Sequence, residues 1–127
     1  MDIGIILLGH GSRIPAANEG LRQLAAQVQQ RLGGLQVEAC YMMRSRPTLA
    51  EGIDSLAIKG AKEVVVVPLF LFNGLHVQRD IPEELERLRF NYPDLKIIYA
   101  ANLGADSRIA DIIIERIREV KGGVLPA

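Results

Sequence analysis

Short runs of apolar residues alternate along this chain with stretches in which apolar side chains recur every three or four positions. The first run, Ile3–Leu8, is six residues long counting Gly4 and predicts a buried strand. After a glycine turn at Gly9–Gly11, the positions Ala17, Leu21, Leu24, Ala25, Val28 and Leu32 predict a helix from Pro15 to about Leu32, closed by Gly33 and Gly34. Leu35–Met43 predicts a second strand. A second helix starts near Pro47, carries Leu49, Ile53, Leu56 and Ala57 on one face, and stops at Gly60. Val64–Val67 places four β-branched residues in a row, which predicts a strand buried on both faces. A long loop then leads to Pro82, where a first helical turn tolerates proline, with Ile81, Leu85 and Leu88 as that helix's apolar side. Lys96–Ala100 predicts a fourth strand, and Ile109, Ile112, Ile113, Ile117 and Val120 an inward face on a last helix. Residues 1–120 are expected to form a single domain and 121–127 a flexible tail, frayed from Gly122 to Ala127.

The order β-α-β-α-β-α-β-α, with near-continuous apolar strands, predicts an α/β fold: a four-stranded parallel sheet with helices on both faces. Ligands of such sheets bind beyond the carboxyl ends of the strands, so the informative residues should follow Leu8, Met43, Val67 and Ala100. A chain of 127 residues suits one domain of this kind. Fifteen Lys and Arg balance fifteen Asp and Glu, which leaves no global positive field and argues against nucleic acid as a partner. No run approaches the length of a membrane span. The single Cys40 can form neither an internal disulfide nor a multi-thiolate metal site, and with no leader pattern at Met1 a cytoplasmic location is expected. Any transition-metal chemistry therefore falls to the only two histidines, His10 and His76.

Both occupy favoured places. His10 lies in Gly9-His10-Gly11-Ser12-Arg13 directly after the first strand, and His76 follows the third strand, ahead of Asp80-Ile81-Pro82. Each can be read as a hydrogen-bonded packing residue, but the two loops open on one sheet edge, where the imidazoles could converge on one ligand. Gly9 and Gly11 serve a tight turn on one reading and an anion-holding turn, with Ser12 and Arg13, on the other. Pro68-Leu69-Phe70-Leu71-Phe72 reads as core, with an extension toward His76 that would wall a flat ligand. Arg44 and Arg46 read as solvent-facing charges or as carboxylate readers, and Met42 and Met43 as packing residues.

The segments Leu7-Leu8-Gly9-His10-Gly11-Ser12-Arg13, Arg46-Pro47-Thr48-Leu49, Val66-Val67-Pro68-Leu69-Phe70-Leu71-Phe72-Asn73-Gly74-Leu75-His76 and Asp80-Ile81-Pro82 together resemble the small sirohydrochlorin cobaltochelatases, the short form of class II tetrapyrrole chelatase. The resemblance runs from Ile3 to about Ile117. It implies a chelatase-like three-layer domain that inserts Co²⁺, or in relatives Fe²⁺ or Ni²⁺, into sirohydrochlorin, pairing as a homodimer. The ion is substrate, with no permanently bound cofactor. His10 and His76 match the family's metal-binding and catalytic histidines, and Ser12, Arg13, Arg44, Arg46, Gly74 and Leu75 are the residues expected to hold the tetrapyrrole. One position departs from the family: the glutamate usual four residues before the proline of the second helix is Met43 here, a neutral thioether that neither accepts a proton nor supplies a hard anionic ligand.

The chemistry of imidazole suits the implied reaction. Two pyrrole N–H protons leave while a divalent ion changes ligands; neutral imidazole binds Co²⁺, Fe²⁺ and Ni²⁺ and, with an ordinary pKa of about 6.5, accepts a proton near neutrality. Two alternatives belong to other classes. A metal or tetrapyrrole carrier of the same fold would bind without inserting. A phosphoryl-accepting His10 would follow the Arg-His-Gly histidine phosphatases, but Gly9 stands in the arginine position. A serine hydrolase at Ser12 lacks the Gly-x-Ser-x-Gly elbow.

Overall fold

A computed structural model describes residues 2–123. The strands are β1 (Ile3–Gly9), β2 (Gln36–Tyr41), β3 (Glu63–Pro68) and β4 (Lys96–Tyr99), all parallel, in the spatial order β2-β1-β3-β4. The helices are α1 (Pro15–Arg31), α2 (Leu49–Ile58), α3 (Ile81–Asn91) and α4 (Ser107–Lys121). The predicted fold class and element order stand; the predicted strands at Leu35–Met43 and Lys96–Ala100 are shorter, because the chain leaves the ladder at Tyr41 and Tyr99.

The sheet separates two apolar clusters. On one face Ile6, Leu8, Val64, Val66 and Ile97 pack under Ile53, Leu56, Leu85 and Leu88 of α2 and α3. Ile53, Leu56 and Leu85 are fully buried, each contributing about 1.5–3 kcal/mol relative to exposure. On the other face Leu7, Val37 and Tyr41 meet Leu21 and Ala25 of α1. Helix α2 opens on a capping box: Thr48 Oγ1 accepts from the Glu51 N–H at 3.2 Å, and Glu51 Oε1 accepts from the Thr48 N–H at 2.9 Å. Cys40 is buried beneath Gly52, where an added Cβ would sit 2.3 Å from its sulfur. Burial, reinforced by Glu38, pushes its thiol up to about 12, which makes it an inert packing group.

Two expectations need correction, and they share a cause. The stripe Ile112, Ile113, Ile117 and Val120 does not face inward: every residue of α4 from Ala110 on is exposed, Val120 by 87%. Among the described residues, helix α4 covers neither face of the sheet. Accordingly β3 is not buried on both faces. Val64 and Val66, under α2 and α3, are fully enclosed, whereas Val65 and Val67, on the face α4 leaves open, are only half-buried. Helix α4 runs through Lys121 before Gly122 and Gly123, and the rest of the predicted tail, 124–127, lies outside the described residues.

Candidate metal centre

The central strand β1 hands the chain to a turn whose shape depends on one side chain outside it. Asn18, in the first turns of α1, accepts the Ser12 N–H on Oδ1 at 3.0 Å and donates from Nδ2 to the Ser12 carbonyl at 2.7 Å. Asn18 is 7% exposed and is the one buried polar or charged residue among those described. The Tyr41 hydroxyl donates to its carbonyl at 2.8 Å, tying the clamp to β2. Ser12 itself is committed locally, its Oγ accepting from the Ile14 N–H at 3.0 Å. Gly11 has φ +97°, and a Cβ there would lie 1.7 Å from the Met43 carbonyl oxygen. Only glycine allows both that conformation and that approach.

Backbone bonds beyond the strand ends bring the other loops alongside. Met42 donates to the Gly9 carbonyl at 3.0 Å and Met43 to the His10 carbonyl at 3.1 Å, while Leu69 donates to the Leu8 carbonyl at 2.9 Å. The loop after β4 joins through Leu103, which donates to the Phe70 carbonyl at 3.1 Å, and through Asn102 Nδ2, 2.7 Å from Asn73 Oδ1.

The predicted loop before Pro82 is shorter than the sequence suggests, because a π-helical turn, His76–Asp80, runs straight into α3. Its wide ring is closed by the Ile81 N–H on the His76 carbonyl. Pro82 explains the width: it has no N–H for an α-type bond to Gln78, and its ring would crowd that carbonyl. Tyr99 of β4 secures the turn by donating its hydroxyl to the Val77 carbonyl at 2.9 Å.

The two histidines meet. Their ring centroids are 5.3 Å apart and the rings are inclined by 67°. His10 is exposed and its Nδ1 lies 3.4 Å from the Gly11 carbonyl, whereas His76 is half-buried with Nδ1 2.9 Å from Asp80 Oδ2. Arg79 Nε donates to the other Asp80 oxygen at 3.0 Å. The Arg79 guanidinium, with His76 adding less, holds the Asp80 carboxyl below the usual carboxylate range. Among the described residues no three or more His, Cys, Asp or Glu side chains form a metal-ready group. A two-imidazole site leaves most positions on an ion open, unlike a closed structural site.

The remaining candidates divide. Arg13 is exposed, and Arg44, also exposed, has φ 62° on the loop after β2. Arg46 is engaged elsewhere: its guanidinium grips Glu51, Nε at 3.0 and 3.1 Å from the two carboxylate oxygens with Nη2 adding a third contact. That grip, with the Thr48 backbone bond, brings the Glu51 carboxyl down to about 2. Gly74 and Leu75 border His76, with Leu75 64% exposed. Phe70 packs on the core, but Phe72 is 77% exposed and with Leu71 faces Ile109, Ala110 and Ile113 of α4 across a shallow groove of about 200 Å³. A larger groove of about 510 Å³ between α1 and β2 contains neither histidine. Sequence reasoning missed Asn18 and Asp80. The second had a signal, four residues from His76 in a segment heading into a helix; Asn18 had none, since its partner is a backbone turn six residues away.

Comparison with known proteins accords with this geometry. The chain is 36% identical over 124 residues to a sirohydrochlorin cobaltochelatase of Methanosarcina acetivorans, covering 92% of this chain and 95% of that protein. It is 34% identical to a sirohydrochlorin ferrochelatase of Priestia megaterium, covering 91% of this chain but 43% of the longer protein. The structure of SirB from Bacillus subtilis with Fe³⁺ superposes with a TM-score of 0.87 at 27% identity, over 97% of this chain and 49% of that one. The CbiX family model matches residues 4–120. The chain belongs to the CbiX family.

Proposed function

We propose that this chain inserts a divalent metal ion, Co²⁺ foremost and Fe²⁺ or Ni²⁺ as alternatives, into sirohydrochlorin. The observation that carries this reading is the convergence of the only two imidazoles on one sheet edge, 5.3 Å apart. Insertion exchanges two pyrrole protons for one ion, and His10 and His76 serve both sides of it: neutral, they hold the ion; vacated, they accept protons. The ion is a substrate that passes through. Arg13 and Arg44, both exposed, are the proposed contacts for carboxylates at the macrocycle's rim, whereas Arg46 must first release Glu51. The exposed Leu75 and Phe72 offer apolar contact to its flat face. The purified chain, mixed with sirohydrochlorin and Co²⁺, should change the macrocycle's visible absorbance catalytically.

Met43 favours a second reading, a carrier that binds metal or tetrapyrrole without turnover, because the carboxylate usual in the family is absent. Stoichiometric binding with no catalytic absorbance change would support it. Met43→Glu separates the two: under the enzymatic reading it raises an existing rate, and under the carrier reading it acts on none.

The assembly proposed is a homodimer in which a second copy covers α4. Two observations support it: the exposed stripe of Ile112, Ile113, Ile117 and Val120, and the half-open β3 face at Val65 and Val67. Replacing Ile113 and Ile117 with Glu should convert a dimeric mass by light scattering to a monomeric one. A wild-type monomer at assay concentrations would contradict the proposal.

A further inference from the structure

The two imidazoles are not held alike. His10 is an exposed ring with only its neighbour's carbonyl near Nδ1, at 3.4 Å. His76 lies on a π turn fixed by Tyr99 and by the Ile81 N–H, with its Nδ1 2.9 Å from Asp80 Oδ2. Asp80 is itself fixed, since its second oxygen accepts from Arg79 Nε at 3.0 Å. The side chains are 41% and 34% exposed, so the pair stands at the rim of the site and outside the core.

We infer that Asp80 is the positioning residue for His76, accepting the Nδ1–H and thereby presenting a bare Nε2 to the incoming ion. A carboxylate at neutral pH only accepts hydrogen bonds, so the ring nitrogen facing it carries the proton. In a neutral ring the other nitrogen then holds the free lone pair, which is the form a metal requires. The bond also fixes the ring's rotation about its own axis. His76 thus meets the ion pre-oriented, whereas no side chain fixes the ring of His10 in the same way. The inference rests on the reading of His76 as a metal-holding group, but the tautomer it assigns can be observed in the metal-free protein.

The test is long-range ¹H–¹⁵N correlation spectroscopy of the full chain at neutral pH, paired with titration by Co²⁺ alone. In the wild type, His76 should be protonated at Nδ1 and unprotonated at Nε2. Asp80→Ala should transfer the proton largely to Nε2 and weaken Co²⁺ binding roughly 10- to 100-fold, the range typical for loss of such a partner. Asp80→Asn, whose side-chain oxygen accepts the same bond, should keep the Nδ1–H form and recover most of the affinity. A wild-type His76 protonated at Nε2 would overturn the inference. So would a tautomer unchanged in Asp80→Ala, whatever happens to affinity, because the carboxylate would then act as a charge or a direct ligand. Failure of the insertion reading shows separately, as absent turnover of sirohydrochlorin with the Nδ1–H assignment intact.

Discussion

Replacing His10 with alanine should abolish cobalt insertion into sirohydrochlorin, and replacing His76 should do the same. Under the proposed mechanism each variant loses one of the two ligands and one of the two proton acceptors, and among the described residues no group of three or more His, Cys, Asp or Glu stands in reserve. The loss expected for a positioned acid–base group is about 10²–10⁴-fold, and the added loss of a metal ligand places both variants at the upper end. With both rings acting on one ion, as proposed, the double variant should be little worse than either single one. The fold survives these changes, since His10 is exposed and His76 half-exposed, so thermal midpoints should stay close to wild type. The macrocycle's absorbance reads the rate. Near-wild-type rates in both single variants would remove the histidines from the mechanism.

Gly11→Ala is the second large effect, and it acts through the backbone. The added Cβ would sit 1.7 Å from the Met43 carbonyl oxygen, at a φ of +97° that side-chain-bearing residues rarely adopt. The turn must open, and both the His10–Met43 backbone bond and the Asn18 clamp on Ser12 give way with it. The cost is about 2–4 kcal/mol, a fall in Tm of roughly 10 °C for a domain this size. Moving His10 by an ångström relative to His76 should cost on the order of 10²-fold in rate. Gly20→Ala in α1 is the matched control: no atom lies within 4 Å of its would-be Cβ, and helix propensity favours alanine by about 0.5–1 kcal/mol. If Gly11→Ala and Gly20→Ala proved equally mild, the turn would not be what places His10.

Much of the fold is legible in the sequence. The alternation of apolar runs and 3.6-residue stripes specified a parallel α/β sheet, and the sheet's geometry then put Gly9-His10-Gly11 and His76 on one edge. Periodicity could not say which surface a stripe covers. Ile112, Ile113, Ile117 and Val120 demand burial as strongly as Ile53 and Leu56 do, yet α2 finds its own sheet and α4 does not. The four valines of β3 hid the same fact, because β-branched residues mark a buried strand without marking who buries it. Arg46 looked as free as Arg13 and Arg44 until Glu51, five residues on, was seen to hold it. Asn18 was invisible for a simpler reason. Its role is to satisfy the backbone of Ser12, and a turn's unpaired groups leave no mark in the sequence.

The central claim is that His10 and His76 hold one ion together. Cobalt K-edge absorption of the chain loaded with one equivalent of Co²⁺ tests it directly. The wild type should show two imidazole nitrogens on a single cobalt, with lighter open-position ligands making up the rest, and His10→Ala or His76→Ala should show one. A wild-type spectrum with one imidazole or none would contradict the account.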